Sequence, residues 1–265
     1  MKFKHKGKRY LLGCLAAAMS LSFTSAVAFA SAPSADAVTV TVLGTSDVHG
    51  RFMPWDYATD TEDRSGSLTQ ISTAVKEIRQ ENPNVILVDA GDAIQDNSVE
   101  QFNKAPHQPM VVAMNAMGYD VWEMGNHEFN FGLDVLRHVT KQFKGQALCG
   151  NVYWENGRRY LPATKVITKD GVRIGIVGMD TPMIAEFEKD SDHLKGVVVK
   201  DPVTETKKAI EELQGKADVI IGVIHMGVAN ENERPDTGVR TSPMPARNLR
   251  PSSPATCTRM SMPRR

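Results

Sequence analysis

The chain is 265 residues long, with 41% hydrophobic and 23% charged residues, proportions that exclude a disordered chain, a collagen-like fibre and a membrane bundle. Its 31 Lys+Arg balance 31 Asp+Glu, but residues 1–9 and 241–265 each carry five basic and no acidic residues, leaving 21 basic against 31 acidic in residues 31–240. So acidic a body excludes a nucleic-acid duplex held on a basic surface, and the length suffices for one large domain or two small ones.

Residues 1–10 (MKFKHKGKRY) are basic, and residues 11–30 (LLGCLAAAMSLSFTSAVAFA) are apolar with small residues toward their end. This is the pattern of a secretory signal peptide over 1–30, with Ala28-Phe29-Ala30 as the small-x-small cleavage site and Ala35-Asp36-Ala37 as a second one. It predicts export to a periplasm, a cell wall or the medium, and no lasting membrane partner after cleavage. An uncleaved anchor is the alternative that about 20 apolar residues admit; Ser20, Ser22, Thr24 and Ser25 dilute it. Residues 31–38 read as a linker. Only Cys149 and Cys257 then remain, too few for a disulfide framework or a thiolate metal site, and Cys149 reads as a small core residue.

From residue 38, strands alternate with helices. Residues 38–43 are β-branched and strand-like, and Leu68, Ile71, Val75 and Ile78 repeat at helical spacing over 68–80. A strand follows at 84–88, a helix at 110–117, a strand at 121–124 and a helix at 131–143. Residues 160–168 and 172–178 flank Lys169-Asp170-Gly171, a hairpin signal. A helix over 203–213 and a buried strand over 218–225 complete the series. Such alternation predicts an α/β layered fold.

Polar groups gather where the strands stop. Residues 38–43 lead into Asp47 and His49, residues 84–88 into Gly91-Asp92, residues 121–124 into Gly125-Asn126-His127-Glu128, and residues 218–225 end on His225. In open α/β sheets, sites form at the carboxyl ends of strands, so these groups can converge. Oxygen and imidazole donors without thiolate suit Mn, Mg, Zn or Fe, and Asp92 is placed to bridge two such ions. By themselves Asp-x-His and Gly-Asp are common solvated turns. Gly-Asn-His-Glu is more specific, and the three in this order point to one site.

At these residues the chain resembles a calcineurin-like metallophosphoesterase, and within that family the secreted 5′-nucleotidases and 2′,3′-cyclic-nucleotide phosphodiesterases. Asp47-Val48-His49-Gly50, Gly91-Asp92, Gly125-Asn126-His127-Glu128-Phe129 and His225 carry the resemblance, which covers residues 39 to about 240. It implies a four-layered αββα sandwich holding two divalent metal ions (Mn, Zn, Mg, Fe or Co). Asp47, His49 and Asp92 would bind the first ion, and Asp92, Asn126 and His225 would serve the second. The substrate implied is a nucleotide or another phosphate ester. The ions would neutralise phosphate charge, acidify the attacking water and offset the field of the acidic body. His127 would stand beside the transferring phosphoryl group, to stabilise charge or protonate the leaving oxygen.

Asn130 occupies a position where the 5′-nucleotidase branch has an Asp that orients this imidazole. An Asn can hold the ring by hydrogen bonding but brings no charge. With Asp56-Tyr57 and Phe131-Gly132-Leu133, it is more similar to the 2′,3′-cyclic-nucleotide 2′-phosphodiesterase/3′-nucleotidase branch; 5′-nucleotidase activity is the alternative. His107, His138 and His193 read as solvated, and Trp55 and Tyr57 as loop anchors.

After His225 the resemblance requires a further strand ending in Gly-His-x-His, yet none of the seven histidines lies beyond 225. Residues 241–265 hold five Pro and five Arg, and read as a tail without a strand, disordered or out of frame. An incomplete, apparently truncated domain over 39–240 is therefore expected, with a non-catalytic fragment as the further alternative.

Overall fold

The computed structural model describes residues 37–56, 58–234, 238–241 and 255–263; the expected leader, nearly all of the linker and Tyr57 lie outside the described residues. In chain order the strands are β1 (Ala37–Thr45), β2 (Trp55–Asp56), β3 (Thr61–Glu62), β4 (Val85–Asp89), β5 (Val121–Glu123), β6 (Gln146–Leu148), β7 (Val152–Trp154), β8 (Thr164–Lys169), β9 (Val172–Asp180), β10 (Val197–Val199), β11 (Val219–His225) and β12 (Ala255–Pro263). The helices are α1 (Leu68–Glu81), α2 (Pro109–Met117), α3 (Gly132–Thr140), α4 (Ile184–Phe187) and α5 (Pro202–Glu212).

Local chemistry sets the helix limits. Ser67 caps α1 by accepting the N–H of Gln70, and Asp201 caps α5 by accepting that of Thr204. Pro109 and Pro202 occupy first-turn positions, where a missing N–H costs nothing. The β8–β9 hairpin turns on Asp170 and Gly171, both at positive φ, as the Asp-Gly pair predicts.

Five strands form one sheet in the order β12-β1-β4-β5-β6, with β1, β4, β5 and β6 parallel. A second sheet has the order β11-β9-β8, with β11 parallel and β8 antiparallel to β9. Alternation along the strands decides what each face meets. Val38, Val40, Ile86, Val88, Val121 and Leu148 pack across the gap against Ile174, Ile176 and Val223 of the second sheet. The other face of the first sheet, with Leu43, Leu87 and Trp122, packs on α1, α2 and α3 through Val75, Met114 and Leu136. On the far side, Val177 and Met179 pack against Ala209 and Leu213, at α5 and just beyond it. Helix, sheet, sheet, helix: these are the four layers of the expected αββα sandwich.

The tail differs from expectation. Ala255–Pro263 is a strand at the edge of the first sheet, beside β1. Edge positions tolerate proline, here the strand's final residue, and main-chain pairing needs no apolar run. Strands β6, β7 and β10, three residues each, are too short to show a period, and unlike β5 they do not lead into a recognisable motif. Among the described residues no helix is long and apolar enough to cross a membrane.

The gap between the sheets also holds a carboxyl group. Glu123, fully buried on the face shared with Val121, lies against Gly178, where an added Cβ would stand 1.8 Å from Glu123 Oε2 and 2.6 Å from Leu148 Cβ. Burial, and then the charge of Asp180, push the Glu123 carboxyl well above the usual range, so it stays neutral. Gly178→Ala should therefore force the sheets apart and cost about 1–3 kcal/mol in urea unfolding. Combining it with Glu123→Ala should return part of that loss.

Candidate metal centre

The carboxyl ends of β1, β4, β5 and β11 lie at one edge, where the loops lock together through main-chain bonds. Asp47 N donates to Gly91 O (2.9 Å), His49 N to Asp92 O (2.8 Å) and Gly50 N to Ala93 O (2.9 Å), extending the β1–β4 pairing past the strand ends. In doing so Asp47, His49 and Asp92 take left-handed backbone angles (φ 54, 47 and 59°), which non-glycine residues adopt only when their surroundings enforce it.

Glu128 ties the β4 loop to the β5 loop. Its Oε2 accepts the N–H of Asp92 (2.7 Å) and Gly125 (2.8 Å), and its Oε1 accepts those of Ala93 (2.7 Å) and Ile94 (3.3 Å). Burial, then the Asp92 charge, push its carboxyl up to about 7 against the pull of these bonds. Gly125 permits the approach, since a Cβ there would lie 2.2 Å from Asp92 Oδ1.

These loops bring the expected residues together around Asp92. One potential ligand atom each from Asp47, His49 and Asp92 lies within 4.8 Å of the other two. On the other side, His225 Nε2 stands 3.3 Å from Asp92 Oδ2 and 3.1 Å from Asn126 Oδ1. His225 Nδ1 donates to Ala90 O (2.7 Å), a pure acceptor, which leaves Nε2 to face the cluster. His49 is held likewise by Gln95 Oε1 at Nδ1 (2.9 Å). Asp92 thus belongs to both groups.

Electrostatics favour positive charge at this spot. Burial would raise the Asp92 carboxyl, but the hydrogen bond and charge of His225, with the His127 N–H, outweigh it and hold it below the ordinary value. Burial lowers His225, and the Asp92 bond together with Asp180, Asp92 and Glu128 drive it up to about 10. A protonated imidazole is what a negative pocket selects without a metal. A divalent cation satisfies the same field, and the oxygen and imidazole donors suit one chemically.

His127 sits beside the cluster. Its backbone N–H donates to Asp92 Oδ1 (2.9 Å), its ring lies 5.4 Å from the His49 ring, and its Nδ1 is 2.6 Å from Asn130 Oδ1. The other end of the Asn130 amide donates to Glu188 (2.5 Å), which also accepts from His193 Nδ1 (2.6 Å). His193 is therefore not the solvated residue expected. His107 and His138 are exposed as expected, and Cys149 is fully buried. Glu188 escapes sequence reading because it lies in the charged stretch Glu186–Asp192, which reads as solvated surface. The clamp of Glu128 was visible only as part of Gly-Asn-His-Glu.

A four-layered sandwich with imidazole and carboxylate donors at the ends of parallel strands defines a metallophosphoesterase. Residues 40–248 match the calcineurin-like phosphoesterase family model, and the chain belongs to that family. It is 32% identical over 215 residues to the trifunctional nucleotide phosphoesterase protein YfkN of Bacillus subtilis, covering 73% of this chain and 15% of that protein. It is 30% identical over 232 residues to the 2′,3′-cyclic-nucleotide 2′-phosphodiesterase/3′-nucleotidase of Haemophilus influenzae, covering 81% of this chain and 35% of that protein. The crystal structure of the calcineurin-like phosphoesterase YfkN from Bacillus subtilis superposes with a TM-score of 0.68 at 30% identity, over 74% of this chain and 64% of that one. The chain thus spans about a third or less of the length of these two curated relatives.

Two outcomes follow from the loop geometry. Glu128→Gln keeps the shape but turns an NH₂ toward backbone donors, and should cost about 1–3 kcal/mol in denaturant unfolding and weaken metal retention. Asp89 is fully buried, bonded to Thr45 Oγ1 (2.5 Å) and Gly91 N (3.0 Å), and pushed from 3.8 up to about 7 chiefly by burial. With its folded value raised, its stabilising contribution is complete below 3.8 and lost as pH rises through about 7. Asn can make both bonds without ionising. Thermal unfolding of the metal-free protein should accordingly show Asp89→Asn gaining on the wild type between about pH 4 and pH 8.

Proposed function

We propose that this chain is a metal-dependent hydrolase of nucleotide phosphate esters, acting as a 2′,3′-cyclic-nucleotide 2′-phosphodiesterase/3′-nucleotidase. The observation that carries the reading is the double cluster around Asp92, one side formed with Asp47 and His49 and the other with Asn126 and His225. The name of the Haemophilus influenzae relative supports the substrate class, and Asn130 favours the cyclic-nucleotide branch over the 5′-nucleotidase one.

Asp47, His49 and Asp92 would hold one divalent cation, and Asp92, Asn126 and His225 would serve a second. When bound, the two cations would neutralise phosphoryl charge and polarise the attacking water. The remaining work falls to the chain. Asn126 contributes a neutral oxygen, which limits the negative charge around the site. The Ala90 carbonyl keeps Nε2 of His225 turned inward. His127, anchored at Nδ1 by Asn130, keeps Nε2 to stabilise developing charge or pass a proton to the departing ester oxygen. In this reading residues 1–30 direct export and residues 39–240 carry the activity, so hydrolysis takes place outside the cytoplasm.

The test is hydrolysis of 2′,3′-cyclic AMP and of 3′-AMP. Activity should vanish with chelator, return with Mn²⁺, and fall by at least about 10²–10³-fold in Asp92→Ala. Unchanged turnover by a folded Asp92→Ala would refute the assignment, and preference for 5′-AMP would place the chain in the other branch.

A further inference from the structure

Glu188 follows directly on α4, and its side chain is 6% exposed although its neighbours are largely solvated. Three donors converge on its carboxylate. Asn130 Nδ2 donates to Oε1 (2.5 Å), while Ser191 Oγ (2.7 Å) and His193 Nδ1 (2.6 Å) donate to Oε2. Burial pushes the group up, and these bonds outweigh it, so it stays below the usual carboxylate value and ionised.

An ionised carboxylate only accepts hydrogen bonds. Asn130 must therefore turn its NH₂ toward Glu188, and the same planar amide then presents Oδ1 to His127. That carbonyl, too, only accepts, so His127 Nδ1, 2.6 Å away, must carry the proton. Without Glu188 the amide could flip and offer NH₂ to Nδ1, which selects the opposite tautomer and is incompatible with a doubly protonated ring. Only the unflipped amide suits both the neutral Nδ1–H form and the cation.

We propose that Glu188 is a positioning residue: it fixes the Asn130 amide and, through it, the Nδ1–H tautomer and orientation of His127. The inference rests on the reading of His127 above as the residue beside the transferring phosphoryl group. Asn130 alone brings the ring no charge, and Glu188 supplies a negative charge one amide farther away. Ser191 and His193 hold that carboxylate in place.

The experiment pairs ¹⁵N NMR of the His127 ring in the metal-free protein with steady-state kinetics of the Mn²⁺-loaded protein. Wild type should show the Nδ1–H tautomer. Glu188→Gln can present its own NH₂ to Asn130, so it should populate the Nε2–H tautomer and lower kcat about tenfold with KM within about twofold. In Asn130→Asp with Glu188 intact, two carboxylates meet, and Tm should fall. The double variant Asn130→Asp/Glu188→Gln puts an unambiguous acceptor against His127 and a donor against that acceptor. It should restore the Nδ1–H tautomer, the Tm and most of kcat, a coupling that independent sites would not show. The proposal is overturned if Glu188→Gln folds and leaves the tautomer unchanged, or if the double variant folds without restoring it. The ring signal is read without turnover, so a wild type that keeps the tautomer but hydrolyses no nucleotide would count against the function alone.

Discussion

The site depends on one carboxylate that need touch neither ligand nor substrate. Glu128 gathers backbone N–H groups of Asp92, Ala93 and Ile94 from the β4 loop and of Gly125 from the β5 loop. A single side chain thus sets the separation of two loops that follow neighbouring parallel strands. Buried donors left without acceptors cost about 1–3 kcal/mol each, so the arrangement is hard to relax in part. With the β1 loop zipped onto the β4 loop by main-chain bonds, three of the four contributing segments become one rigid rim. His225 joins it from the other sheet through the Ala90 carbonyl.

That rim is under electrostatic tension. Asp89, Glu123, Glu128 and Asp180 are buried near it, and burial drives every one of them toward the neutral form. Asp92, by contrast, is held below its ordinary value by His225 and His127 and stays ionised. The carboxylate shared by both donor groups is thus the one whose charge the site holds most firmly, while Asp180 and Glu128 add to the negative field that raises His225. The left-handed angles of Asp47, His49 and Asp92 fit the same picture, since strained backbone persists where a surrounding network enforces it.

The imidazole beside the cluster is held differently. His127 leans on a neutral amide, and the amide leans on a carboxylate from the segment after α4. A charge at one remove polarises the ring less than a direct contact would, but it leaves less doubt about which way the amide points. Orientation and charge, joined in one residue when an Asp stands there, are here divided between Asn130 and Glu188.

Much of the fold was legible in the chain. Helical spacing marked α1 and α3, β-branched runs marked β1, β4, β9 and β11, and Asp170-Gly171 marked the hairpin, because these are local periods and local turn chemistry. The donors at strand ends were legible too, since parallel strands deliver their carboxyl ends to one edge whatever their separation in sequence. What only the tertiary structure decided is the set of contacts with no period. The fit of Glu123 against Gly178 comes from packing one sheet on another, and the pairing of β12 with β1 from an open edge seeking main-chain partners. The path from Glu188 to His127 comes from a loop folding over a site whose motif ended 58 residues earlier at Asn130. Sequence determines which residues can bind, accept or donate; topology determines which of them meet, because a hydrogen bond is fixed by distance in space and leaves no spacing in the chain.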